Sequence, residues 1–182
     1  MMVEVPARVS AANVPGKSYF CPHFQTDYPM HTILVALHSY NRYLILAALL
    51  FVLYRAYSGW RGQKRFEKVD NTASVALLGL SHLQLLIGLI MYAFTSTWTQ
   101  TAFANFGAAM KDPMQRYFAV EHILAMIIAV TFVQLGRTLS KKATDDTEKH
   151  RKLAIYTTIA LVIIVGTLAQ KGLLFGTLAS GS

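Results

Sequence analysis

Residues 32–54, TILVALHSYNRYLILAALLFVLY, decide the fold. Arg42 is the one formal charge in the stretch. At about 1.5 Å per residue, roughly 20 helical residues cross a hydrocarbon core of about 30 Å, so this run is long enough to span a membrane. Three further runs repeat the pattern: Thr72–Phe94, Tyr117–Gly136 and Leu153–Ala169, the last extendable through Leu173, Leu174, Phe175 and Leu178 beyond Gln170 and Lys171. Only helices and closed barrels satisfy every backbone group in lipid, and none of the four runs has the strict alternation of a barrel strand. The expected fold is therefore an all-α integral membrane four-helix up-down bundle over residues 31–178, with spans at about 32–54, 72–94, 117–136 and 153–169, behind a polar N-terminal tail, residues 1–30.

The charges sort themselves between these runs. Arg55, Arg61, Lys64, Arg65 and Lys68 lie between spans 1 and 2, and Arg137, Lys141, Lys142, Lys149, Arg151 and Lys152 between spans 3 and 4. The connection between spans 2 and 3 has only Lys111 and Arg116. The positive-inside rule puts the two basic connections in the cytoplasm and both termini outside. Anionic lipid headgroups account for a net charge of +8, so membrane lipid is the expected partner and nucleic acid is not. The tail lacks the apolar core of a signal peptide, and Pro6, Pro15, Pro22 and Pro29 forbid a long helix in it. Its aromatics Tyr19, Phe20, Phe24 and Tyr28 suit an interfacial lie. The single cysteine, Cys21, excludes an internal disulfide framework and a cysteine-based metal cluster.

Three histidines fall inside three different spans: His38, His82 and His122. A ligating or ionisable side chain is costly in hydrocarbon and marks a candidate site. Counting from the outer boundary, His38 lies about 10 Å and His122 about 9 Å deep, whereas His82 lies about 18 Å deep, near the midplane. Spans 1 and 3 are diagonal in an up-down bundle, so His38 and His122 are placed to give two axial imidazoles to one flat cofactor between the helices. Around His122 the residues Ala119, Ala125, Met126 and Ala129 leave room for a macrocycle, and Gly79 does so one turn from His82. Arg42, one turn below His38, calls for an anion, with Glu121, a haem propionate or a quinone-like oxygen as candidates. Arg116 and Lys111 sit at the outer boundary, where propionates would point. With no CxxCH attachment motif, the haem would be one non-covalent haem b. Span 4 has no histidine, so a second haem is not expected. Copper is disfavoured because the seven methionines do not gather around the histidines.

Plainer roles stand beside these. Ser81, Gln84 and Tyr92 suit interhelical hydrogen bonds, and Gly88, Gly166 and Gly172 suit close packing. His31 is at the boundary, and His23 and His150 lie outside the spans. In the outer connection, STWTQTAFANFGAAMKDPMQR, the spacing of Trp98, Phe103, Phe106 and Met110 predicts a short amphipathic helix, either an aromatic belt or a lid over an outer site. Asp112-Pro113 reads as N-cap and first helical position of span 3.

The blocks LHSYNRYLIL, SHLQLLIGLIMY, DPMQRYFAVEHILAM and QLGRTLSKKA resemble the small four-helix bacterial membrane proteins commonly labelled cytochrome b. The resemblance covers about residues 30–170 and omits the tail. It implies non-covalent haem and electron transfer, with haem-related roles for His38, His82 and His122.

Together these readings point to a haem-binding electron-transfer subunit of a larger respiratory-type membrane complex, exchanging electrons with quinol or an outer-side carrier. Two alternatives remain open: an accessory subunit whose His, Arg and Glu residues form a buried polar network, and a small proton conduit using Glu121, His122 and His82. The chain shows no Gly-rich nucleotide loop, catalytic triad pattern or sizeable soluble domain, so it is not expected to act as an enzyme on its own.

Overall fold

The computed structural model describes residues 29–170. The readings placed on Cys21, on the tail aromatics and on the Leu173–Leu178 extension lie outside the described residues. The elements are α1 (Pro29–Arg61), α2 (Lys68–Ile90), α3 (Thr97–Ala104), α4 (Phe106–Ala109), α5 (Pro113–Arg116), α6 (His122–Lys142) and α7 (Asp146–Ala169). One π turn, Met91–Thr95, continues α2, and a second, Tyr117–Glu121, leads from α5 into α6. No strand occurs among the described residues.

Four stretches are long and apolar enough to cross a membrane: Met30–Arg61, Lys68–Thr95, Pro113–Lys142 and Asp146–Ala169. They contain the expected spans and overrun them into the basic connections. Those connections, read from the sequence as residues 55–71 and 137–152, shrink to 62–67 and 143–145. The reason is that Lys and Arg are good helix formers and are favoured at helix C-termini, where Arg61 closes α1 and Lys141 and Lys142 close α6. At the other ends, Asp145 Oδ2 accepts from the Glu148 amide at 2.9 Å to cap α7. Glu67 and Asp70 form a reciprocal capping box on α2.

α1 packs on α2 and α7, and α6 packs on α7 and α2, so α1 and α6 face one another across the bundle. The core is built from Leu49, Val52 and Ala56 of α1, Leu77 of α2, Val133 of α6 and Ala154 of α7. Only 17–33% of the residues in the four apolar windows are buried, so most of their hydrophobic surface lies on the outside. Leu37, Leu44, Phe51, Leu86, Ile128 and Val162 are exposed there. A bundle that is apolar all round is solvated by lipid, not by water.

Contacts at the interfaces fix register. A Cβ added at Gly136 would lie 2.9 Å from Tyr156 Cβ, so this glycine lets α6 and α7 approach. Gly166, expected to do the same, has nothing within 4 Å of its Cβ position. Arg55 closes the basic end by donating from Nε to Asp70 Oδ1 at 2.7 Å and from Nη2 to Asp70 Oδ2 at 3.1 Å and Glu67 Oε2 at 2.7 Å. His150 lies outside the expected span yet is buried, because α7 begins at Asp146 and carries it inward. Its ring rests on Gly59, where a Cβ would overlap it, and lies 5.0 Å from the Phe66 ring.

Candidate functional site

The inward stripe of α1 runs through His38, Asn41, Arg42, Ile45 and Leu49, residues three and four apart that share a face. On α2 the corresponding face is Ser74, Leu77, Ser81, Gln84 and Gly88. On α6 it is His122, Met126 and Ala129. These three faces, closed from α7 by Ile164 and Leu168, enclose a cavity of about 140 Å³. His38 and His122 line it from opposite helices, and Arg42 lies within electrostatic reach of both.

A polar clasp holds the α1 wall. Asn41 Nδ2 donates to Gln84 Oε1 at 2.8 Å and to the Leu80 carbonyl at 3.0 Å, and Gln84 Nε2 donates to the His38 carbonyl at 2.9 Å. The His38 ring sits over Gly88, where an added Cβ would be 3.3 Å from Cε1. Its Nδ1 is buried with no hydrogen-bond partner among the described residues. Arg42 is buried, donates from Nη2 to the Tyr43 hydroxyl at 3.2 Å and stacks 4.9 Å above the Tyr43 ring.

The two π turns shape the opposite wall. In an α-helix, residues five apart are rotated by about 140° from one another. A π turn, with its i→i+5 hydrogen bonds, brings them to one side. Tyr117 and His122 are five apart across such a turn, and the His122 amide donates to the Tyr117 carbonyl. The Tyr117 hydroxyl then lies 3.5 Å from His122 Nδ1 while donating to the Thr167 carbonyl of α7 at 2.9 Å. A phenol that donates elsewhere can only accept from the imidazole, so the contact favours a proton on Nδ1 and leaves Nε2 as the free donor atom. The turns also bond to each other, with the Tyr92 hydroxyl donating to the Ala119 carbonyl at 2.9 Å.

The outer connection covers this end. Ser96 and Thr99 line the cavity, and Thr99 Oγ1 donates to the Tyr92 carbonyl at 2.8 Å. Trp98 stacks on Phe118 with centroids 6.2 Å apart. Thr99, Ala102 and Ala109 are buried, the two alanines packed on Ala119, whereas Phe103 and Phe106 are exposed. The small residues, not the aromatic ones, thus carry most of the docking. Asp112 caps α5 as expected, accepting from the Met114 and Gln115 amides at 2.8 and 2.9 Å.

Three of the five residues read as candidates come together: His38, His122 and Arg42. His82 does not join them. It is exposed on the outer face of α2, with Nδ1 donating to the Leu78 carbonyl at 2.9 Å. The helix face decides: His82 lies about 100° round from the inward Ser81. Gly79, offered as room beside it, opens on empty space. Arg116 also stays outside the cavity, its Nε 2.7 Å from Glu121 Oε1. Glu121 is therefore held by Arg116 and does not serve as the counterion proposed for Arg42.

Among the described residues no group of three or more His, Cys, Asp or Glu is placed to hold a metal ion. The cavity instead offers two imidazoles, a guanidinium, a carboxamide and hydroxyls, with no carboxylate among the described residues that line it. That donor set suits an electron-rich or anionic flat group bound between α1 and α6. No protein-family model, curated protein or solved structure matches the chain.

Proposed function

We propose that the chain is a multi-pass membrane subunit that binds one non-covalent haem b between His38 and His122 and passes electrons within a larger respiratory-type complex. The observation that carries this reading is the meeting of His38 and His122, from opposite helices, on one cavity. The donor types suit the group: His38 has a buried Nδ1 without a hydrogen-bond partner among the described residues, Gly88 makes way for its ring, and the remaining lining is mainly apolar. A cavity of about 140 Å³ is benzene-sized, so α1 and α6 would have to move apart to admit the macrocycle. Bound there, haem supplies reversible one-electron chemistry. The chain's own residues do the rest. Gln84 and Asn41 fix the backbone of His38, Tyr117 orients His122, and Arg42 supplies positive charge beside both. Ser96, Thr99 and Trp98 shield the outer end from water.

The up-down arrangement supports the same reading. Arg55–Asp70 and His31–Thr95 pair α1 with α2 in opposite directions, and Tyr117–Thr167 and Gly136–Tyr156 do so for α6 and α7. With the basic connections in the cytoplasm, the cavity faces the periplasmic side of a bacterial membrane, and quinol or an outer-side carrier is the redox partner.

A second reading is favoured by the clasp of Asn41, Gln84 and the His38 carbonyl, which joins α1 to α2 without any cofactor. On that reading the chain is an accessory subunit, and its histidines set helix register. Extraction of the purified protein, made in haem-sufficient cells, into alkaline pyridine separates the two. About one haem per chain supports the first, and none after reconstitution with hemin supports the second.

A further inference from the structure

At the basic end of the molecule, α1 finishes in a groove of about 600 Å³, far from the cavity between His38 and His122. Its walls are Leu53, Tyr54, Tyr57 and Ser58, and its rim is Arg61 and Lys64. The chain turns back at Gln63, whose φ of 46° is left-handed, and the Lys64 amide donates to the Gly59 carbonyl at 3.0 Å. This is the C-terminal closure in which the residue after the cap reverses direction. It folds Lys64 over the groove, with Nζ donating to Ser58 Oγ at 3.0 Å, while Arg61 lies 5.9 Å from the Tyr57 ring.

The charge pattern is selective. Arg55, one and a half turns earlier, is saturated by Asp70 and Glu67. Arg61 and Lys64 have no carboxylate within ion-pair distance among the described residues, and no acid lines the groove. Directly along the same face of α1 run Leu50, Phe51 and Tyr54, at 60%, 48% and 71% exposure. A site with two cations and hydroxyls at one end and an exposed apolar stripe leading away from it has the shape of an amphiphile. We infer that the groove at the end of α1 binds an anionic phospholipid: Arg61, Lys64 and Ser58 hold the headgroup phosphate, and an acyl chain lies along Leu50, Phe51 and Tyr54. Basic pockets at the membrane surface take such headgroups. The inference is independent of haem.

Trp60 reports on the site, because its ring stacks 6.0 Å from that of Tyr57. In full-length protein carrying Trp98→Phe, held in phosphatidylcholine nanodiscs, brominated phosphatidylglycerol should quench Trp60 at a lower mole fraction than brominated phosphatidylcholine. Arg61→Gln with Lys64→Gln should weaken the preference about twenty-five-fold, at about fivefold per charge. The charge-retaining pair Arg61→Lys with Lys64→Arg should keep most of it, which separates lost binding from lost folding. Lys141→Gln with Lys142→Gln, in the last turn of α6, should leave it intact. Equal quenching by the two lipids, or equal loss from the Lys141 and Lys142 changes, overturns the inference in favour of diffuse surface charge. Reversal of the quenching by millimolar inorganic phosphate overturns it in favour of a free-phosphate site.

Discussion

Gly88 of α2 lies directly beneath the imidazole of His38 on α1: a Cβ placed there would be 3.3 Å from His38 Cε1. That distance is tight for a methyl group and prohibitive for a branched side chain. Gly88→Ala should therefore shift the optical spectrum of the bound haem with little change in stability. The helix gains about 0.8–1 kcal/mol of propensity, which offsets the crowding. Gly88→Leu should displace the ring, eliminate haem binding and cost about 1–3 kcal/mol by overpacking. Haem content and thermal unfolding in detergent, measured together, check both outcomes.

Gln84 and Asn41 form a coupled pair. Gln84→Leu removes one hydrogen bond from Asn41 and one from the His38 carbonyl, while Asn41 keeps the Leu80 carbonyl, so the cost expected is that of lost bonds, about 0.5–1.5 kcal/mol each. Asn41→Leu should cost a similar amount. The double variant should be less destabilised than the sum, with a coupling of about 0.5–2 kcal/mol. Strict additivity in a detergent-unfolding cycle would show that the clasp does not operate as a unit.

Much of this arrangement was legible beforehand, and the remainder was hidden for physical reasons. Apolar length alone located the four membrane-spanning stretches, and Asp112-Pro113 marked the start of the third. His38, Arg42 and His122 were found because polar side chains in apolar runs stand out. His82 stood out equally and faces away from the cavity. The signal that would have excluded it is the small-residue spacing Ser74, Ser81, Gly88, which marks the inward face of α2 one residue away. The π turns left no such trace. Tyr117 and His122 look like residues on different faces until the i→i+5 turn aligns them. Burial of His150 depended on how far α7 extends, which hydropathy does not report because helices continue past the edge of the apolar run.

The basic end rests on one carboxylate. Asp70 is buried, accepts both arms of Arg55 and caps the Glu67 amide. Asp70→Asn preserves the volume and removes the charge, leaving Arg55 with the exposed Glu67 alone. A loss of about 1–3 kcal/mol is expected, at the lower end of what breaking a buried pair costs because Arg55 keeps a water-accessible partner. Glu67→Gln, at the exposed half of the pair, should cost under about 1 kcal/mol. Thermal midpoints of the two variants, compared with that of the parent, test the asymmetry.

Orientation can be checked without haem. In a background with Cys21→Ser, Arg65→Cys should react with an impermeant thiol reagent only after the membrane is permeabilised. Ala104→Cys, exposed in α3, should react in intact cells. The opposite pattern would invert the bundle and put the His38–His122 cavity on the cytoplasmic side.

The central claim is that His38 and His122 ligate one haem and His82 does not. It is tested most directly by oxidised and dithionite-reduced absorption spectra of the detergent-purified full chain and its three alanine variants. The account predicts a b-type spectrum for the parent, loss of that spectrum in His38→Ala and His122→Ala, and an unchanged spectrum in His82→Ala. A parent that stays colourless after reconstitution with hemin, or one that loses its haem on substitution of His82 alone, would contradict it.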